Sequence, residues 1–211
     1  MNNVYPENLN RQFSSLVLDI PKIEPDNWDD WWVWWDENAK PMTKIYSSRN
    51  GEPGLNHWHG VQIYGTHDEG EDPWDIVSVD CTKLFPKMFE TIFKLPIDIV
   101  RIRAVTSKGM FTPHKDHSHP VLSIRINLFD NNPVPTFYYL NFTDKQRKMY
   151  KQQLPETSNT WIYADHIQDH TTFYHQGHFK ILFMIFGTWR SEELNELIER
   201  SVEKYPDYYI E

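Results

Sequence analysis

His114-Lys115-Asp116 is the stretch of this 211-residue chain best suited to chemistry. On an extended segment, residues two apart project to the same side, so the His114 imidazole and the Asp116 carboxylate can converge on one ion while Lys115 points away. A borderline nitrogen donor beside a hard oxygen donor suits a divalent first-row metal, and a facial set of two His and one carboxylate leaves coordination positions open. The third ligand must then come from elsewhere in the chain. His170 is the candidate: it ends the turn-rich stretch 165–170, just after an expected strand over 160–164. His175 competes for the same place. Cys81 is the single cysteine and supplies neither a disulfide nor a thiolate cluster, so any metal is held by His and carboxylate.

Two cations keep company with these ligands. In the stretch 121–129, Leu122, Ile124, Ile126 and Leu128 alternate with Ser123, Arg125 and Asn127, which predicts a strand with one core side and one polar side. In 179–186 both sides are apolar except at Lys180, whose ammonium therefore needs an anionic partner. A guanidinium and an ammonium in otherwise core-like strands describe a pocket for a small dianion.

The elements that must position these groups follow from periodicity. Short runs rich in Val, Ile, Thr, Phe and Tyr over 99–106, 121–129, 136–142, 160–164 and 179–187 predict an antiparallel sheet system. A capping box over 143–146 predicts a short helix or turn between two of them. Trp28, Trp31, Trp32 and Trp35 predict one face of a helix opening near Asp26, and Leu84 to Phe93 the apolar stripe of a second over 82–95, stopped by Pro96. Ser191 is placed as the cap of a last helix carrying Leu194, Leu197 and Ile198. Together these give a mainly β fold, a sandwich or barrel buttressed by helices. The expected organisation is one domain over 1–211: a helical and irregular support region 1–96, a β core 97–190 and a C-terminal helix 191–211.

From about Ile99 to Trp189 the order of parts resembles the iron(II)- and 2-oxoglutarate-dependent oxygenases, and within them the aspartyl/asparaginyl β-hydroxylase-like group. The matching pieces are Pro113-His114, the strand Ser123-Ile-Arg125-Ile-Asn127, Asp169-His170, and Phe179-Lys180-Ile181, with ten residues from His170 to Lys180. The resemblance implies a double-stranded β-helix, the jelly roll of the cupin-like folds. It implies Fe(II) held by His114, Asp116 and His170, and 2-oxoglutarate held by Lys180 with Arg125 and Asn127. With O2 it implies hydroxylation of an amino acid or a peptide side chain of Asp, Asn or Pro type, coupled to decarboxylation of 2-oxoglutarate to succinate. Asp116 aligns the chain with members that keep a carboxylate ligand, such as the free-proline hydroxylases. Lys180 stands where the group usually has Arg, a point charge in place of a bidentate fork. A non-redox cupin-like protein that binds a metal or small ligand is the alternative reading, and a protein-binding domain built on the Trp28–Trp35 helix is a third.

Composition narrows the partners. A net charge of −9 gives no general attraction for nucleic acid or anionic membrane. Residues 1–10 carry no apolar signal core, and the longest uncharged apolar run, 181–186, is far short of a membrane span. The expectation is a soluble cytoplasmic protein acting on a small molecule or peptide; no feature fixes its oligomeric state.

Overall fold

The computed structural model describes residues 6, 8–13, 15–41, 58–65, 77–107, 122–128, 136–141, 148–164, 169–172 and 181–209, some strand residues by their backbone alone. Its strands are β1 (Ser15–Val17), β2 (Lys40–Pro41), β3 (Trp58–Tyr64), β4 (Ile97–Ser107), β5 (Leu122–Leu128), β6 (Thr136–Asn141), β7 (Lys148–Gln153), β8 (Thr160–Ala164), β9 (Asp169–Thr172) and β10 (Ile181–Trp189). The helices are α1 (Trp28–Asn38), α2 (Pro86–Ile92) and α3 (Ser191–Lys204). Two antiparallel sheets result, one of seven strands in the order β1-β8-β5-β10-β4-β3-β2 and one of three in the order β7-β6-β9. The fold is mainly β with flanking helices.

All three helices contribute to one core against a single face of the large sheet. Ile124, Ile126, Phe183, Ile185, Ile102, Ala104, Val61 and Ile63 form that face and cluster with Trp31 of α1, Phe89 of α2 and Leu197 of α3. Residues alternate along each strand, so the intervening positions must look the other way.

Local chemistry sets the helix boundaries. The Asn27 side chain accepts from the backbone N–H groups of Asp29 (2.8 Å) and Asp30 (3.2 Å), starting α1, and the acids of that first turn suit the positive helix end. Trp31, Trp34 and Trp35 are the buried members, whereas Trp28 and Trp32 stack on each other, 5.9 Å between centroids, at the half-exposed rim. The expected stripe is thereby corrected: the buried arc is centred on Trp31 and takes in Trp34. The expected helix over 82–95 contracts to α2. Thr82 is held in a turn by Asp80, and the Asp26 carboxylate accepts from Lys87 and Met88 N–H, capping the helix just behind Pro86. Leu84 and Phe93 fall outside it and are exposed. At α3, Arg190 and not Ser191 holds the cap position; its guanidinium bonds Asp98 (2.8 Å), Glu193 (2.9 Å) and the Leu95 carbonyl (2.8 Å), fastening the helix to the start of β4.

The support region differs from its expectation as well. β1, β2 and β3 join the large sheet, so residues 1–96 are not only helical and irregular. The capping box over 143–146 lies outside the described residues, and a strand, β7, follows it. Gly65 ends β3 with φ +82°, and a Cβ there would collide with the Val100 carbonyl oxygen. Gly65→Ala is expected to lower stability by about 1–3 kcal/mol, combining backbone strain with that collision. Urea unfolding checks it, and an unchanged midpoint would refute the tight approach of β3 to β4.

Candidate functional site

The face of the large sheet turned away from the helices is polar and nevertheless buried. Register sets one row across it: Trp161 of β8 opposite Arg125 of β5, Arg125 opposite Met184 of β10, Met184 opposite Arg103 of β4, and Arg103 opposite Gln62 of β3. Arg125 is 4% exposed, Asn127 0%, Arg103 6% and Gln62 1%. Val17, Val105 and Trp161 share this side and are buried too, yet they stand apart from the helix-side core. The polar side expected for β5 is therefore an interior, not a solvated surface. Burying a cation is costly unless anions or dipoles answer it. Three arginines, Arg101, Arg103 and Arg125, stand on this face.

Asn127 is the sharpest feature. Its backbone is fully engaged: the N–H donates to the Asn159 carbonyl (2.9 Å) and the carbonyl accepts from Asn159 Nδ2 (2.9 Å). Asn159 is itself fixed by Ile23, whose N–H donates to Oδ1 (2.9 Å) and whose carbonyl accepts from Nδ2 (2.7 Å). The Asn127 side chain, in contrast, has a hydrogen-bond partner at neither Oδ1 nor Nδ2. A buried amide left so costs about 1–3 kcal/mol for each unmet group, which a bound polar ligand would recover. Arg125 lies two residues away on the same side, its Nη1 donating to the Ile124 carbonyl at 3.4 Å.

The sequence-derived site residues are distributed as follows. Arg125 and Asn127 share the buried face of β5. His170 is on β9, opposite Tyr139 of β6, so it belongs to a short strand of the small sheet and not to the expected turn. His114, Asp116, Lys180 and His175 lie outside the described residues. Among the described residues no three His, Cys, Asp or Glu side chains gather as a metal site would require. His59 is half-buried on β3, opposite Thr106 and Pro41. Cys81 is buried and burial pushes its thiol up to about 12, so it offers no thiolate. Sequence reasoning missed Arg101, Arg103 and Gln62. For the two arginines the signal was the alternation Arg101-Ile-Arg103-Ala104-Val105, the same device that marked Arg125 and Asn127.

No protein-family model matches the chain, and no curated protein does. Among solved structures it is similar to a prolyl-4-hydroxylase from Pseudomonas putida, with TM-score 0.41 and 8% identity over 72% of this chain and 79% of that one. It is also similar to a bsmA homologue from Methylobium petroleophilum, with TM-score 0.37 and 10% identity over 77% of this chain and 82% of that one. Both are distant likenesses. Among the described residues no helix is long and apolar enough to cross a membrane.

Proposed function

We propose that the chain is an Fe(II)- and 2-oxoglutarate-dependent dioxygenase that hydroxylates an amino acid or a peptide side chain, on a jelly-roll core in which the two sheets face each other. The observation that carries this reading is the Asn127 amide, wholly buried and with no hydrogen-bond partner at either polar atom, on the same side of β5 as the buried Arg125. A small dianion would satisfy the amide's donor. It accepts from the guanidinium and from Asn127 Nδ2 with charge-assisted hydrogen bonds. Lys180, which the sequence resemblance names for the co-substrate, is the proposed ammonium partner.

His114, Asp116 and His170 are the residues that would hold the metal; their donor types suit Fe(II) and leave positions open. When bound, iron with 2-oxoglutarate and O2 supplies the oxidation of a C–H bond, 2-oxoglutarate losing CO2 to become succinate. The chain's own part is binding, orientation and exclusion of water. Arg125 and Asn127 fix one end of the co-substrate, the Asn159 clamp holds the β5 backbone beneath it, and Trp161 and Met184 give the same row an apolar lining.

The test is turnover of 2-oxoglutarate by the purified chain with Fe(II) and ascorbate, across free amino acids and peptides containing Asp, Asn or Pro. Succinate that depends on iron, with a product heavier by one oxygen, is the expected result. Failure of 2-oxoglutarate to raise the melting temperature of metal-loaded protein, together with no succinate, refutes the reading in favour of a non-redox binding protein.

A further inference from the structure

We infer that Met184 is an oxidation site on the floor of the ligand-binding face: a peroxide converts its thioether to the sulfoxide, and a dianion bound on that face shields it. β10 is the fourth strand of seven, and Met184 sits on it between Arg125 of β5 and Arg103 of β4. Trp161, Arg125, Arg103 and Gln62 of the same row are all buried, yet Met184 is only half-buried. A side chain in the middle of a wide sheet, with buried neighbours on either hand, meets solvent only where the cover over that face is open. The opening lies on the polar side, because Phe183 and Ile185, which flank Met184 along the strand, are completely buried in the helix-side core. Phe186, the next residue on the same side as Met184, is half-buried as well. An accessible strip therefore runs along β10 from Met184 to Phe186.

Of these two side chains only the thioether is readily oxidised by peroxide. Attack of a sulfur lone pair on hydrogen peroxide breaks the O–O bond, forms one S–O bond and releases water; sulfur gives up two electrons and the peroxide takes them. Reactivity of this kind follows exposure, and Met88, 2% exposed in the helix-side core, is the internal comparison. The sulfoxide puts a polar oxygen where the row offers an apolar lining, so a ligand seated across Met184 binds the oxidised protein less well. Enzymatic reduction of sulfoxides makes the change reversible. That the shielding ligand is the co-substrate rests on the dioxygenase reading, whereas the reactivity of Met184 does not.

The experiment treats the full-length protein, loaded with Zn(II) as an ion that peroxide does not oxidise, with dilute hydrogen peroxide and follows the methionines by peptide mass spectrometry. Met184 should gain one oxygen at least about tenfold faster than Met88. 2-Hydroxyglutarate, a dianion of the co-substrate's length without the oxo group that peroxide would consume, should slow Met184 about threefold or more and leave the rate at Met88 unchanged. After removal of peroxide, thermal-shift titration with 2-oxoglutarate should show an affinity lowered about tenfold by the oxidation. Met184→Leu keeps the side-chain volume and the other five of the six methionines, so its own affinity should be the same before and after peroxide. Oxidation of Met184 no faster than of Met88, or an equal fall in affinity in Met184→Leu, overturns the inference. So does unslowed oxidation of Met184 at a 2-hydroxyglutarate concentration that raises the melting temperature. No melting-temperature response to either dianion in untreated protein, with Met184 still the faster to oxidise, overturns the dioxygenase reading and its shielding ligand and leaves the oxidation site standing.

Discussion

Replacing His114 with Ala is expected to leave the protein folded and to reduce iron-dependent 2-oxoglutarate turnover by more than about a hundredfold. Altering a group that merely orients a metal ligand already costs about 10–100-fold, and on the proposed reading a ligand itself is removed from a set of three. The same loss is expected for His170→Ala. Lys115→Ala, one residue away but on the opposite side of an extended segment, should stay within about threefold of wild type if period-two alternation holds there. His175→Ala separates the two distal candidates: its five-residue distance to Lys180 leaves less room than the ten from His170 for a ligand and a cation at opposite ends of one co-substrate. Succinate formation and bound iron, measured on the same samples, decide it. Activity in His114→Ala within tenfold of wild type sinks the ligand assignment, and a loss in His175→Ala with none in His170→Ala moves the distal ligand.

Part of this buried face was legible in the sequence, for a physical reason. A strand that alternates apolar and polar residues declares two faces, and β5 keeps that alternation: Ile124 and Ile126 join the helix-side core while Arg125 and Asn127 turn away. Whether the polar face meets water or protein depends on what covers it, and that is a matter of sheets distant in sequence. Arg101 and Arg103 escaped notice on the same account, since a strand with two arginines at alternate positions reads as half solvated. Gln62 was hidden differently. Its strand, β3, begins at Trp58 and carries a glycine, Gly60, near its start, so no long run of strand-forming residues announces it.

Two of the elements that went unread, β9 and β7, are short or polar. β9 is Asp-His-Thr-Thr, four residues with no apolar member, and it exists through pairing with β6. β7 lies at the edge of its sheet with the composition Lys-Met-Tyr-Lys-Gln-Gln, and the capping box before it argued locally for a helix or turn. Non-local pairing overrode local propensity in both. Long periodic segments were legible because their own spacing specifies their burial: Phe85, Met88, Phe89 and Ile92 are all in the core even though the helix around them is shorter than its pattern.

Trp31→Ala is expected to destabilise the protein by about 3–5 kcal/mol, the range for deleting a large buried aromatic side chain. Trp31 is fully buried, with ring centroids 5.1 Å from Phe85, 5.6 Å from Phe183, 5.3 Å from Trp34 and 6.3 Å from Trp35. It thus joins α1 to the segment leading into α2 and to β10, the strand whose opposite face carries Met184 between the two arginine positions. A cavity there loosens the support of the candidate site as well as the core. Trp31→Phe should cost less, under about 2 kcal/mol, because a ring is kept and because the buried indole Nε1, which has no hydrogen-bond partner, is removed along with its desolvation cost. Trp32→Ala, at the half-exposed rim, should cost about 1 kcal/mol. Chemical denaturation of the three variants measures this order. A cost below about 1 kcal/mol for Trp31→Ala would mean that the tryptophan helix is not a structural brace, and would return it to the reading in which its rings await a protein partner.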